Sequence, residues 1–352
     1  MSDYFIKIDK TFSTSFFYER VLGDLHECIS DGKKPRVIFD LSETTFVDAL
    51  VIPNFLCTGY LLKDWTGNVP IITTLSKNYY SSRFDTAKYL YDIGFSRIAQ
   101  DYNLFEINDF GNQDKESLIS EYSRTYLFND FNVSKQDIAR TISQKSKMLF
   151  EKHLRNYFAD DEIFGYCNIF AKFAAELCNN SLVHGKSFSI MTIQSNVKLG
   201  KVSIAVSDCG CGFYNSLCQK IITNEAHDFY TIDKNDFMKN TDTRSLNAII
   251  ESTFYRYFDK VYGIWDIANT VFKHDGTIRI HSSDSRIVLT PRTFQLIFEV
   301  CKDPESLKRL LVKEFVQKKD YNFKSGMRFK GVHYEIEIPF NTEKRRGAYE
   351  NY

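Results

Sequence analysis

The chain has no net charge, no CxxC cysteine pair, no signal-like apolar start and no apolar run long enough to span a bilayer. Lys plus Arg and Asp plus Glu both number 45, so bulk capture of a polyanion is not expected, and nucleic acid would need a local basic patch. No stretch approaches the about 18 uninterrupted apolar residues of a membrane helix, and the first residues lack a signal-peptide core. The chain therefore reads as soluble and cytoplasmic, with no membrane partner. The eight cysteines (28, 57, 167, 178, 209, 211, 218 and 301) are scattered, as expected of reduced thiols in a reducing compartment. Cys209, Cys211 and Cys218 are close enough in sequence to raise a metal site, although plain thiols are the better reading. There is no internal repeat and no low-complexity tract.

A hydrophobic fraction of 43% over 352 residues is enough for two cored domains. In the first, Arg36 to Leu41 clusters Val, Ile and Phe between turn-prone residues and predicts a buried strand. A short apolar step at 45–48, a helix over 49–63 and a strand over 69–74 follow. A helix over 87–92 ends at Gly94, and Ser96 to Ala99 reads as one more strand. Alternating strands and helices predict an α/β layer. Residues 101–130 are acidic and poor in branched apolars, and read as a connection. A helix over 134–157 follows, with Ser134 as its cap.

The most informative segments are Glu176 to Gly185 and Asp208 to Gly212. In the first, residues 169, 173, 176, 180 and 183 form one helical stripe that starts apolar, carries Glu176 and Asn180, and closes on Val183. A carboxylate and an amide facing inward need partners: protein groups, a metal or a ligand. In the second, Val202, Ile204, Val206 and Asp208 alternate along one strand face. The glycines after Asp208 allow a tight turn and close backbone approach. Together they point to a nucleotide pocket between a helix and a sheet.

These residues resemble the N box and first glycine box of the GHKL superfamily, the ATP-binding domains of gyrase, heat-shock chaperone, histidine-kinase, MutL-type and anti-sigma factor kinase proteins. Glu176, Asn180, Ser181 and His184 match the N box; Asp208, Gly210 and Gly212 match the glycine box, with Cys209 and Cys211 at its variable positions. The segment from Tyr262 to Ser282 resembles the second glycine box, its helix and a strand, with Gly263 and Ile264 matching and Val261 in place of the first glycine. The region 213–260 stands where that family has its ATP lid, with a helical insertion as the alternative. Residues 283–329 read as a charged, helical interruption of the sheet. Gly331 to Pro339 resembles the last strand, with Val332 in place of the usual Thr, and its alternation predicts a half-buried strand.

The resemblance implies a Bergerat-type α/β sandwich with a mixed sheet and helices on one face, binding Mg-ATP. It implies that Asn180 ligates Mg2+ through its amide oxygen, that Glu176 acts as general base, and that Asp208 accepts from the adenine 6-amino group. Gly210 and Gly212 would admit the nucleotide, Gly263 would offer helix-start N–H groups to phosphate, and His184 is a further nucleotide-binding candidate. Lys186 and Arg244 are weaker phosphate candidates.

The first unit resembles the STAS domain of anti-sigma factor antagonists, carried by Val37 to Asp48, the following helix, the 69–74 strand and Gly94-Phe95. Where regulated members carry a phosphorylated Ser after the aspartate, this chain has Ala49 and Leu50. The organisation read from the sequence is thus α/β (α+β): a STAS-like unit over 1–115, a linker over 116–133, a GHKL-type domain over 134–342 and a basic tail over 343–352. Three activities stay open: a nucleotide switch with slow or no hydrolysis, a serine/threonine protein kinase, and a non-catalytic scaffold. The implied partner is a protein, such as a STAS or sigma-factor-like regulator, and a homodimer is compatible.

Overall fold

Two sheets form the frame, seen in a computed structural model that describes residues 2–30, 32, 34–74, 86–108, 123–155, 158–196, 199–223, 231, 234, 237, 243–255, 257–259, 263–317 and 327–340. Val261, and the tail 343–352, lie outside the described residues.

In the first unit, β1 (Asp3–Lys7) and β2 (Thr11–Phe12) lead into α1 (Thr14–Phe16), a π-helical turn and α2 (Leu22–Ser30). Then come β3 (Arg36–Asp40), β4 (Phe46–Val47), α3 (Ile52–Thr66), β5 (Ile71–Thr73), α4 (Thr86–Asp92), α5 (Phe95–Asp101) and β6 (Glu106–Asn108). The four longer strands form a parallel sheet in the order β1-β3-β5-β6, as the alternation of strands and helices requires. Ser96 to Ala99, expected as a strand, lies instead within α5. Phe95, Ile98 and Ala99 fall at helical spacing and are buried together, and a run this short does not distinguish the two periods.

The second unit runs β7 (Ser123–Phe128), α6 (Lys135–Leu154), α7 (Asp160–Val183), β8 (Ser189–Asn196), β9 (Lys201–Asp208), α8 (Gly212–Ile222), α9 (Arg244–Phe254) and α10 (Ile264–Lys273). It ends with β10 (Thr277–Ser283), β11 (Ser285–Leu289), α11 (Pro291–Val300), α12 (Pro304–Leu311) and β12 (Phe329–Pro339). Its six strands are ordered β11-β10-β12-β9-β8-β7, and every neighbouring pair is antiparallel. Parallel and antiparallel pairing are thus divided between two sheets, where a mixed second sheet was expected. Ser134 caps α6, its hydroxyl accepting from the Asp137 N–H at 3.1 Å.

The expected linker 116–133 is structured where it is described. β7 is an edge strand of the second sheet, aligned on β8 and tied by Thr125 Oγ1 and Thr192 Oγ1, 3.0 Å apart. The second unit therefore begins by Ser123 rather than at 134. The acidic stretch 101–130 likewise holds β6, an edge strand with its two polar ends exposed, which is why neither strand showed a clean alternation. Nor is 283–329 only a helical interruption, since β11 returns along β10 before α11 begins.

The two units share a core. α3 is buried along most of its length, as a helix packed on both sides must be. It lies between the first unit's core and the second sheet. Ile190, Cys209, Met327 and Phe329 of the second unit join the apolar cluster of the first. Asn54 bridges the seam: its Nδ2 donates to Tyr18 Oη at 2.7 Å, and its Oδ1 accepts from Ser207 Oγ at 2.7 Å. The Thr125 N–H also donates to the Ile93 carbonyl at 2.9 Å. One consequence corrects the sequence reading of β12. Val332, Tyr334, Ile336 and Ile338 are buried as expected, but His333 and Glu335 on the other face are buried too. The first unit covers the face that alternation assigned to water. Among the described residues, no helix is long and apolar enough to cross a membrane.

Candidate functional site

α7 carries both polar residues of the stripe. Its first turn is acidic, with Asp160, Asp161 and Glu162 favourably placed against the helix dipole, and the Glu162 carboxylate accepts from the Ala159 N–H at 2.9 Å. About two turns and one turn before the helix end, Glu176 and Asn180 line a cleft shared with β12 and α10. Val183, expected to close the stripe inward, is exposed, because the chain is already leaving the helix. His184 and Gly185 both donate their N–H groups to the Asn180 carbonyl.

β9 delivers Asp208 from the sheet side. The residue is only 3% exposed. Its Oδ1 accepts from the Gly210 N–H at 2.8 Å and the Val332 N–H at 3.3 Å, and its Oδ2 accepts from Ser181 Oγ at 3.0 Å. One carboxylate thus joins the end of α7, the glycine turn and β12. Burial pushes its pKa up to about 6, while those three donors hold it down. Two glycines are required by close approach. A Cβ at Gly210 would meet the Gly185 carbonyl at 2.4 Å, and one at Gly331 would lie 1.8 Å from the Asp208 carbonyl.

A cleft of about 220 Å³ opens between these elements. Six of the seven site residues expected from sequence line it: Glu176, Asn180, His184, Asp208, Gly212 and Gly263. Gly210 stands behind the wall, where its N–H fixes Asp208. Gly263 caps α10 and faces the cleft at that helix's start, so the helix offers unpaired N–H groups and a positive dipole end there. Apolar surface comes from Leu217, Ile264, Val332 and Tyr334. Burial pushes the Tyr334 phenol well above its ordinary pKa, with Asp208 and Glu176 adding to the effect, so it stays neutral.

Lys135, from the first turn of α6, donates to Glu176 Oε2 at 2.8 Å. Lys220 on α8 also lines the cleft. Neither had been singled out from sequence. Lys220 follows Phe213, Ser216 and Leu217 at helical spacing, a signal that becomes usable only once α8 is recognised. The roles expected of Lys186 and Arg244 find no support, since neither lines this cleft; the Arg244 guanidinium sits over the Tyr214 ring, 5.2 Å from its centroid.

Among the described residues, no cluster of three His, Cys, Asp or Glu side chains could hold a metal, and that includes Cys209, Cys211 and Cys218. What the cleft offers a cation is the Asn180 amide oxygen, with Glu176 engaged by Lys135. That donor set fits Mg2+ of the kind held chiefly by phosphate and water, which needs only one or two protein ligands. Comparison with family models, with curated proteins and with solved structures found no match.

Proposed function

We propose that the chain is a Mg-ATP-binding regulatory protein of GHKL type, a nucleotide-dependent switch with slow or no hydrolysis. The observation that carries this reading is convergence: six residues chosen from separated sequence segments line one cleft, with an ionisable, buried carboxylate on its sheet side. Asp208 Oδ2 takes one protein hydrogen bond and keeps acceptor capacity for an exocyclic amine such as that of adenine. A carbonyl in that place, as in guanine, would meet a second acceptor. Asn180 would hold Mg2+, and the start of α10 at Gly263 would receive phosphate. Bound Mg-ATP would supply a transferable phosphoryl group with its charge partly neutralised. Glu176 is positioned on the same face as Asn180, but the Lys135 ammonium occupies its carboxylate, so it is not free to orient a water, which supports slow turnover.

A serine/threonine kinase reading has one observation against its simplest form. Ala49 lies in the seam between the units, fully buried and without a hydroxyl, so transfer to that position within the chain is disfavoured. A partner in trans stays compatible, and a regulator of STAS or sigma-factor-like kind is the class the resemblance favours. Calorimetric titration of ATP with Mg2+ into wild type and Asp208→Asn tests the main reading. Asn keeps an acceptor for the backbone donors, so the fold should hold, while the charge that favours an amine donor is lost. Binding weakened at least about tenfold is expected, a difference of about 1.4 kcal/mol. Equal affinity in the two proteins would remove Asp208 from the site.

A further inference from the structure

A second cavity, of about 450 Å³, lies in the seam between the units on the opposite face of β12. Its wall is mostly polar, with Leu50, Ile280 and Val288 as its apolar members. The first unit supplies Thr14, Ser15, Tyr18 and Asp48; the second sheet supplies Lys201, Arg279, Arg286, Glu335 and Glu337. Glu337 is paired with Lys201 and, at 2.7 Å, with Arg279 Nη1. Asp48 accepts from the Leu50 N–H at 3.1 Å. Glu335 differs: it is 3% exposed, and neither carboxylate oxygen accepts a hydrogen bond. Arg279 Nη1 stands 4.0 Å from it, and the Thr14 and Tyr18 hydroxyls lie close beside it without making a well-formed hydrogen bond. His281 and His333 stack in the same wall, 5.0 Å between centroids, and burial pushes both below the ordinary imidazole pKa, so both are neutral.

A buried carboxylate without a donor, beside a cavity large enough for several waters, calls for a polar group to complete it. We infer that this cavity is a second ligand site, for a small hydroxylated anion. Each part of that description follows from the wall. A hydroxyl completes Glu335 in either form, donating to the carboxylate or accepting from the protonated carboxyl. Anionic oxygens suit Lys201, Arg279 and Arg286, which outnumber the ionised Asp48 and Glu337 by one when Glu335 is neutral. The same cations oppose an ammonium ligand, and the polar wall opposes an apolar one. The volume corresponds to about 15 waters at about 30 Å³ each, a limit of about 15 non-hydrogen atoms. The anionic group can be a phosphate or a carboxylate, and the site is independent of the nucleotide reading.

Calorimetry on the full chain tests it with sn-glycerol 3-phosphate, D-glycerate and, as the neutral control, glycerol. At least one of the two anions binds while glycerol does not, and the anion that binds identifies the group. Arg286→Gln on the edge strand β11 weakens that binding at least tenfold, Thr14→Val weakens it several-fold, and Arg140→Gln, an exposed cation on α6, leaves it within twofold. Circular dichroism confirms that each variant is folded, and Thr14→Val decides the matter if Arg286→Gln is not. No binding of either anion to wild type overturns the site. So does binding by glycerol alone, or binding that survives both Arg286→Gln and Thr14→Val unchanged.

Discussion

Asp208 and Glu335 are both buried carboxylates on neighbouring strands of one sheet, yet their surroundings differ in kind. Asp208 receives three protein donors, two of them backbone N–H groups fixed by the glycine turn and β12. Glu335 accepts no well-formed hydrogen bond, although the Thr14 and Tyr18 hydroxyls lie close beside it. Burial pushes Asp208 up to about 6 and Glu335 up to about 7. The difference separates a preorganised acceptor, which is part of the fold's own wiring, from one whose environment is incomplete without a proton or a bound group.

The sharpest way to break the comparison is to replace each carboxylate by an apolar side chain of similar size. Asp208→Leu strands the Gly210 and Val332 N–H groups, while the Ser181 hydroxyl keeps the Leu177 carbonyl, and should cost about 3 kcal/mol or more. Glu335→Met removes no well-formed hydrogen bond and leaves Arg279 its pairing with Glu337, and should be neutral or stabilising by about 1 kcal/mol at pH 8. Urea denaturation of both variants reads this directly, and equal losses would erase the distinction.

A change of pH should sharpen it. The folded pKa of Glu335 lies above its unfolded value near 4.5. Its contribution is therefore fully present below pH 4.5 and is lost as pH rises through about 7. A shift of roughly two to three units corresponds to about 3 kcal/mol. Asp208 acts with the same sign between about 3.8 and about 6. His281, pushed down to about 3, acts with the opposite sign, losing its contribution as pH falls from 6.5. The net curve of wild type mixes these terms, so the quantity to measure is the stability of Glu335→Met relative to wild type. That difference should grow by about 3 kcal/mol between pH 4.5 and 8, and a flat difference would mean that Glu335 is solvated.

The smallest stability effect should come from Lys135→Ala. Its ion pair with Glu176 is about half exposed on the lysine side, and unfolding free energy should change by no more than about 0.5 kcal/mol. Phosphate release from Mg-ATP should nevertheless rise several-fold, because the carboxylate is unmasked. An unchanged rate alongside intact nucleotide binding would show that Lys135 does not restrain Glu176.

How much of this was legible in the sequence depended on whether a residue's surroundings are local. Glu176, Asn180 and Asp208 could be picked out because each continues an apolar row on a regular element. Ser134 could be picked out as a cap because its partner, the Asp137 N–H, is three residues away in sequence. What the sequence withheld was set by tertiary cover. His333 and Glu335 alternate with apolar residues and so read as solvent-facing, until the first unit is seen lying on them. β6 and β7 are edge strands with half-exposed or polar side chains, and α5 is too short for its period to show. Lys135 reaches Glu176 from 41 positions away, and no spacing rule connects them.

β12 forms a party wall. Val332 and Tyr334 face one chamber; His333 and Glu335 face the other. Strand side chains repeat every second residue, so a slip by a single position would exchange the two linings wholesale. Gly331 stands against that slip, since the Asp208 carbonyl occupies the space where any larger residue would put its first carbon. Loosening that pin would disturb both rooms at once.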